Sequence, residues 1–240
     1  DRPGGQWKIT SNEITETLPD GSQFVRFSPV EPYQVSAFMQ QLHQKYRDYA
    51  QEKPVSEDAF RIFRSMYSRE ATPLDARVEA TDASPEHWTR QKITYHPGYG
   101  RERMAAYLYL PKNATPPFQT LVFVPGSNTL FLKSSEKEQV VMPRLDFVVK
   151  SGRAVLAPVL QGTFERRIGL ETQQQNREVF SQWVRDLGAS IDYLESQPEI
   201  DRERIGYLGH SMGARLGVMM TALESRVKVN VLFDGGLPFG

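Results

Sequence analysis

A glycine–serine–glycine pattern near the C-terminus is the first feature of this sequence that suggests chemistry. Ser211 lies between Gly209 and Gly213, in the stretch IGYLGHSMGARLG. An apolar run, RIGYLG, leads directly into the serine, and a helical pattern begins directly behind it. A serine on such a strand–turn–helix bend is held in a strained backbone conformation that lifts its hydroxyl above the sheet. The pattern therefore predicts a serine nucleophile at position 211.

The neighbours of Ser211 predict how a negative charge would be held beside it. Gly209 and Gly213 lack side chains where strand, turn and helix crowd together. The backbone N–H of Met212 would lie at a helix N-terminus, where free donors and the helix dipole favour an anion. We therefore predict that the Met212 N–H forms one half of an oxyanion hole.

The elements that must position this serine alternate along the chain from about residue 77. Several of the strands are apolar without polar alternation and lead into a helical pattern, which predicts a mainly parallel sheet with helices on both faces, an α/β fold. The predicted strands are ARVEA, TRQKITY, RMAAYLYL, QTLVFVPG, RAVLAPVL, RIGYLG and VKVNVLF. The predicted helices cover 136–150 with an interruption near Pro143, 172–196, and the stretch MGARLGVMMTAL.

The first part of the chain has a different pattern, and we expect residues 1–75 to form an N-terminal extension to a domain of residues 76–240. The turn signal LPDGS separates two short strand candidates in residues 6–30. Apolar residues at helical spacing predict one helix in residues 32–53 and a second from Glu57 to Tyr67. Ser56 is the expected N-cap of the second helix. The apolar face of that helix carries Phe60, Phe63, Met66 and Tyr67.

Composition excludes several classes of function. Lys+Arg and Asp+Glu are balanced at 29 each, so the chain has no net charge that would indicate a nucleic acid or a membrane surface as partner. The chain has no cysteine, which excludes disulfides, thiolate metal sites and a cysteine nucleophile. That absence is compatible with the cytoplasm but does not decide the location. No apolar run approaches the roughly 20 residues of a membrane span, and no motif for a metal or another cofactor is present.

Three longer stretches carry a family resemblance: AYLYLPKNATPPFQTLVFVPGS, VVKSGRAVLAPVLQGTFERR and SIDYLESQPEIDRERIGYLGHSMGA. From about Ser56 to Gly236 the sequence resembles serine hydrolases of the alpha/beta-hydrolase superfamily. It is most similar to their dienelactone hydrolase, acetyl xylan esterase and prolyl oligopeptidase-like branch. It also resembles hydrolase domains at the C-terminus of large bacterial proteins that often begin with a kinase domain. We therefore expect further domains of a longer polypeptide, although no kinase signature is present here.

The resemblance implies a triad in the chain order serine, acid, histidine. It places the acid and the histidine beyond Gly240, so the 240-residue piece alone is expected to be inactive. It also implies that the loop after QTLVFVPG supplies the second oxyanion N–H, and Ser127 is the candidate donor. The absence of the next strand would leave a long apolar sheet edge, so we expect this piece alone to be poorly soluble.

Residues already present offer alternatives for the remaining roles. Asp234 follows VKVNVLF and is either an acid of the site or a turn residue before Gly235. Thr163 and Phe164 follow RAVLAPVL and are candidates to line a pocket. Two neighbouring cations, Arg166 and Arg167, would contact an acidic substrate or, as is more typical, be solvated loop charges. The histidines are expected to be structural or exposed rather than a base: His43, His87, His96 and His210.

Three functions remain open at this point. The first is a carboxylic-ester hydrolase for a small-molecule ester, in which Ser211 forms an acyl-enzyme. The second is a prolyl oligopeptidase-like peptidase. The third is a non-catalytic binding module that keeps the fold without the chemistry, and the absence of a base among the present residues is its main support.

Overall fold

The structure of the protein is a computed structural model that describes residues 6–9, 14–17, 23–27, 51–68, 72–136, 142–168 and 173–235. The chain divides into two compact units, residues 1–52 with 239–240, and residues 53–238. The sequence places the boundary between residues 75 and 76, whereas the two units meet between residues 52 and 53. The second predicted helix, which begins at Glu57, therefore lies in the larger unit. The helix predicted in residues 32–53 lies, up to residue 50, outside the described residues.

The smaller unit contains a three-stranded antiparallel sheet. Its strands are β1 (Gln6–Ile9), β2 (Ile14–Thr17) and β3 (Gln23–Phe27), in the order β1-β2-β3. The stretch LPDGS joins β2 to β3, which pair in antiparallel register. The sequence predicted two strands here, and the described residues form three.

The larger unit is built on a seven-stranded mixed sheet in the order β10-β9-β7-β8-β6-β5-β4. Strands β10, β9, β7 and β8 are parallel to one another, whereas β6, β5 and β4 are added with antiparallel pairing. The carboxyl ends of the four parallel strands share one edge of the sheet. The strands are β4 (Arg77–Asp82), β5 (Trp88–Tyr95), β6 (Met104–Pro111), β7 (Phe118–Val124), β8 (Ala154–Pro158), β9 (Ile200–His210) and β10 (Val229–Phe233).

Four helices accompany this sheet in the described residues. They are α1 (Glu57–Ser65), α2 (Met142–Lys150), α3 (Gln173–Ser196) and α4 (Met212–Leu223). The sequence predicts an interruption near Pro143 in a helical stretch of residues 136–150; α2 begins at Met142 with the proline in its first turn, and residues 137–141 lie outside the described residues. Proline is tolerated there because the first helical N–H groups have no intrahelical acceptor.

Alternating side chains of the central strands fill two cores, one on each face of the sheet. On β7, Val122 and Val124 face the core formed with α3 and α4, whereas Phe123 faces the core formed with α2. All three are fully buried, and burial of one such side chain stabilises the fold by about 1.5–3 kcal/mol. The two cores hold the parallel strands in register, and this positions the residues at their carboxyl ends.

Strand β10 forms one edge of the described sheet, and all five of its residues are exposed. They include Val229, Val231, Leu232 and Phe233. The apolar edge that the sequence predicts at this strand is therefore present in the described part of the chain.

Helix α1 begins as predicted, because the side chain of Ser56 accepts a hydrogen bond from the N–H of Ala59 at 3.2 Å. Its apolar residues are not buried in a core: Phe63 is 57% exposed and Met66 is 65% exposed.

Among the helices described, none combines the length and the apolar character needed to cross a membrane.

Candidate active site

Ser211 occupies the sharp bend between the end of β9 and the start of α4. Its backbone angles are φ 53° and ψ −111°, a conformation that L-residues other than glycine rarely adopt. The strand–turn–helix setting predicted around this serine is therefore present. The side chain is partly exposed, so its hydroxyl is accessible to a ligand.

The two glycines of the motif allow three backbone segments to meet at this bend. A Cβ atom on Gly209 would stand 2.5 Å from the carbonyl oxygen of Gly213. A Cβ atom on Gly213 would stand 2.0 Å from the carbonyl oxygen of Val124, at the end of β7. Both distances are far below van der Waals contact, so only glycine fits at either position.

The loop after β7 borders the serine. The N–H of Gly213 donates to the carbonyl oxygen of Pro125 at 3.2 Å. The point where a Cβ atom on Gly126 would stand lies 3.3 Å from the Cβ of Ser211. Ser127 follows at the start of a short 3-10 turn, Ser127–Leu130, and is exposed.

The two amides expected to hold an oxyanion are not used in regular pairing. Within the described ranges, no acceptor is found for the N–H of Met212 or for the N–H of Ser127. Met212 lies in the first turn of α4, where the helix dipole favours an anion. The arrangement leaves both donors available, and their role in an oxyanion hole stays a prediction.

Asp234 lies beside His210, next to the bend. Its Oδ2 is 3.3 Å from the Nε2 of His210, and the imidazole also packs against the ring of Phe233. The N–H of Ser211 donates to the carbonyl oxygen of Phe233 at 3.0 Å. Asp234 itself is highly exposed and has a positive φ of 55°. The candidate acid therefore reaches the site, but its nearest partner is a histidine that the sequence assigns to a structural role.

No base is in place for Ser211 in the part of the chain that the structure describes. The buried Nδ1 of His210 has no hydrogen-bond partner there, and no imidazole is hydrogen-bonded to the serine hydroxyl. His87 and His96 lie at the two ends of β5 and are both half-buried, and His43 is outside the described residues. A hydroxyl without such a partner is a weak nucleophile.

The loop after β8 is anchored by a buried ion pair. The Arg166 guanidinium donates to Asp186 at 2.9 Å and to the carbonyl oxygen of Val159 at 2.7 Å, and its side chain is only 5% exposed. The interpretation of Arg166 as a solvated loop charge is therefore wrong, because α3 presents a carboxylate to it. Arg167 is exposed and donates to the carbonyl oxygen of Leu130.

Asp186 is the centre of this network and was missed by the sequence analysis. It is fully buried and also accepts from the Tyr99 hydroxyl at 2.7 Å and from the N–H of Gln161 at 2.8 Å. Burial raises the pKa of Asp186 above its ordinary value, and the charge of Arg166 opposes that rise. The available signal was the position of Asp186 within the apolar stripe of α3, three residues after Trp183.

The two candidate pocket residues of the same loop are buried. Thr163 donates from its hydroxyl to the carbonyl oxygen of Leu160 at 2.7 Å, and Phe164 packs in the core beneath α2 with a positive φ of 48°. Their contact with a ligand stays a prediction. A cavity of about 1200 Å³ lies at the start of α4 and is lined by other residues, among them Phe63, Trp183, Met212 and Arg215.

Comparisons with known proteins agree with this fold. Residues 188–239, which include the bend, match the family described as BAAT / Acyl-CoA thioester hydrolase C terminal. The protein PA2218 of Pseudomonas aeruginosa, strain PAO1, is 29% identical over 161 residues, which cover 66% of this chain and 38% of the relative. "Putative hydrolase YtaP" of Bacillus subtilis, strain 168, is 24% identical over 144 residues, which cover 55% of this chain and 48% of the relative.

Among solved structures, the acetyl xylan esterase from Paenibacillus sp. R4 superposes with a TM-score of 0.57 at 21% identity. The superposition covers 75% of this chain and 60% of that esterase. The chain spans less than half the length of each of the two curated relatives, PA2218 and YtaP. The mixed sheet, the strained serine between β9 and α4, and these matches show that the chain has the alpha/beta-hydrolase fold.

Proposed function

We propose that the protein is a serine hydrolase that cleaves a carboxylic ester through an acyl-enzyme on Ser211. The observation that carries this proposal is the strained backbone of Ser211, at φ 53°, held by two glycines that tolerate no Cβ atom. A strained bend has a stability cost of about 1–3 kcal/mol. Its retention around an accessible hydroxyl supports a chemical role.

In the proposed reaction the Ser211 Oγ attacks the acyl carbonyl carbon and transfers its proton to a base. The carbonyl oxygen becomes an oxyanion that the N–H groups of Met212 and Ser127 stabilise, and loss of one such donor would cost roughly 3–4 kcal/mol. The tetrahedral species expels the alcohol, which takes up the proton. Water then attacks the acyl-enzyme, releases the carboxylic acid and restores the serine hydroxyl.

We place the triad acid and histidine C-terminal to Gly240, as the family resemblance implies. Asp234 is the alternative acid within the chain. Support for the first assignment comes from the described residues, where no imidazole is hydrogen-bonded to the hydroxyl of Ser211 and Asp234 lies against His210 instead. The full-length protein is therefore the material for any assay of turnover.

The test is turnover by the full-length protein of three acyl donors: p-nitrophenyl acetate, an aminoacyl anilide and a short-chain acyl thioester. The thioester is included because residues 188–239 match a family named for thioester hydrolysis. We expect ester cleavage, loss of cleavage in Ser211→Ala, and an acetylated peptide containing Ser211 in the wild type. Ser84→Ala, at an exposed serine between β4 and β5, serves as the control. Faster cleavage of the anilide would favour a peptidase.

The alternative of a non-catalytic binding module has one specific observation in its favour, the missing base in the described residues. It predicts that the full-length protein turns over none of the three donors and is not labelled by a fluorophosphonate. Labelling of Ser211 in the full-length protein, with loss of labelling in Ser211→Ala, would exclude it.

A further inference from the structure

A large apolar cleft lies beside the proposed nucleophile. Its volume is about 1200 Å³, slightly above the range of about 300–1,000 Å³ usual for small-molecule sites. Three helices of the larger unit form its walls: α1 and the residues after it, the N-terminal half of α3, and the first two turns of α4. Within the cleft, Tyr67 packs edge-on against Phe180 with 5.5 Å between the ring centres. This contact joins the residues that follow α1 to α3.

The start of α4 connects the proposed nucleophile to the cleft wall. Met212 directly follows Ser211, and its side chain lines the cleft. One turn further along, Arg215 also lines the cleft, and its backbone N–H donates to the carbonyl oxygen of Ser211 at 3.0 Å. A molecule in the cleft would therefore contact Met212, the residue that directly follows the proposed nucleophile.

Most of the cleft wall is apolar. Phe63, Met66 and Met219 line it and leave large parts of their side chains exposed to solvent. Apolar side chains gathered in a cleft with a polar rim are typical of a ligand-binding groove. Methionine side chains adapt their shape to a ligand, so these walls fit a flexible or aromatic hydrocarbon body.

Two cations border the apolar wall. Arg177 on α3 and Arg215 on α4 are both exposed and line the cleft. Neither forms an ion pair with any residue in the described ranges, and neither does the single lining carboxylate, Glu178. The two guanidinium groups, together with the N-terminus of α4, make the cleft electropositive. A ligand that is complementary to both features has an apolar part that packs against the wall and a negatively charged group that pairs with the arginines.

We propose that this cleft binds an amphipathic anion: an apolar body against Phe63 and Met219, with a carboxylate, phosphate or sulfonate held by Arg177 and Arg215. If the proposed function is correct, the anion is the substrate, and the substrate class is esters that carry a negative charge away from the scissile bond. This part of the proposal rests on the proposed function. As a statement about binding it is independent of Ser211.

The binding test compares two fluorescent probes on the full-length protein. The first is 8-anilinonaphthalene-1-sulfonate, and the second is N-phenyl-1-naphthylamine, which has the same rings without the sulfonate. We expect Arg215→Ala and Arg177→Ala each to weaken binding of the sulfonate about fivefold, as for a partly exposed charge pair, and to leave binding of the amine within about twofold. Arg215→Lys should retain most of the affinity, and Phe63→Ala should weaken both probes.

Arg202→Ala is the matched control, because Arg202 is exposed near the start of β9, at the end of the strand opposite Ser211. The proposal is overturned if the wild type binds neither probe, if the arginine variants affect both probes equally, or if Arg202→Ala has the same effect as Arg215→Ala.

A kinetic test separates this proposal from the assignment of the nucleophile. The 4-nitrophenyl monoester of adipic acid ends in a carboxylate, whereas 4-nitrophenyl hexanoate has a chain of the same length without it. We expect Arg215→Ala to lower kcat/KM for the adipate ester about fivefold, mainly through KM, and to leave the hexanoate within about twofold. Turnover that persists in Ser211→Ala would refute the nucleophile and leave the binding result standing. Equal effects of Arg215→Ala on both esters would refute the anion site and leave the nucleophile standing.

Discussion

The position that a Cβ atom on Gly213 would occupy lies 2.0 Å from the carbonyl oxygen of Val124. The first turn of α4 therefore rests on the backbone at the end of β7. The hydrogen bond from the N–H of Gly213 to Pro125 belongs to the same contact. This close approach brings the loop after β7 to the side of Ser211, where its amides can serve the same ligand.

Gly213→Ala is expected to destabilise the fold strongly. The added methyl group meets backbone atoms that cannot move without disturbing β7, so we expect the free energy of unfolding to fall by about 3 kcal/mol or more. Gly188→Ala is the control, because a Cβ atom there meets only the carboxylate of Glu224 at an ordinary 3.7 Å and α3 gains a better helix former. Urea unfolding of both variants checks this, and similar losses in the two would contradict it.

Ser211→Gly is expected to be more stable than Ser211→Ala by about 1 kcal/mol. Both variants remove the hydroxyl, but only glycine adopts a positive φ without strain. At Ser181, inside α3, the order should reverse, because glycine is about 1 kcal/mol worse than alanine within a helix. Thermal unfolding of the four variants provides the measurement. A Ser211→Gly variant that is no more stable than Ser211→Ala would show that Ser211 is not strained in solution.

Gly126→Ala is expected to impair turnover more than stability. A Cβ atom at this position would lie 3.3 Å from both the Nδ1 of His210 and the Cβ of Ser211, so small shifts of the site are needed to admit it. A misplaced nucleophile should lower kcat for the ester about tenfold or more. Kinetics and urea unfolding of the same full-length variant separate the two effects, and unchanged kcat would remove this loop from the site.

Removal of one partner of the Arg166–Asp186 pair should cost about 3–5 kcal/mol, because the other charge stays buried without its nearest counter-charge. Arg166→Met combined with Asp186→Leu should cost clearly less than the sum of the two single variants. Urea unfolding of this double-mutant cycle is the measurement. Arg61→Ala, at an exposed pair with Asp58, should change stability by less than about 1 kcal/mol. Additive losses across the cycle would mean that the two charges are not coupled.

Glu224 should make stability depend on pH in the acidic range. Its partial burial favours the neutral form, but hydrogen bonds from Arg226 outweigh this and lower the pKa of Glu224 below its ordinary value. The unfolded chain then binds more protons than the folded one, so this contribution is present above about pH 4.5 and is lost as the pH falls through the folded pKa.

Glu224→Gln should therefore lower stability at pH 7 and flatten the dependence of the unfolding free energy between about pH 5 and pH 3. Urea unfolding at stepped pH values provides the measurement. Glu203→Gln, at an exposed position on β9, is the control and should leave the slope unchanged. An unaltered slope in Glu224→Gln would show that the contact with Arg226 does not persist in solution.

Much of the fold follows from local pattern, and the boundaries of α4 show how closely. The apolar stretch after Ser211 predicted a helix with the same bounds as α4, Met212–Leu223, and Ser56 caps α1 as expected. Helix and strand periodicity depend on neighbours a few positions apart, which the chain presents directly. Pro143 shows the limit of such patterns, because a proline inside a helical pattern does not reveal whether it ends one helix or begins the next.

The sequence by itself determined the class of fold and the bend at Ser211, since both depend on the order and spacing of residues close together in the chain. Only the tertiary structure decided which distant side chains meet. It buried Arg166 against Asp186, placed Asp234 beside His210, and brought Phe63 to the same cleft as Met212. These contacts join separate helices, strands and loops, and their distances are set by how the elements pack on the sheet.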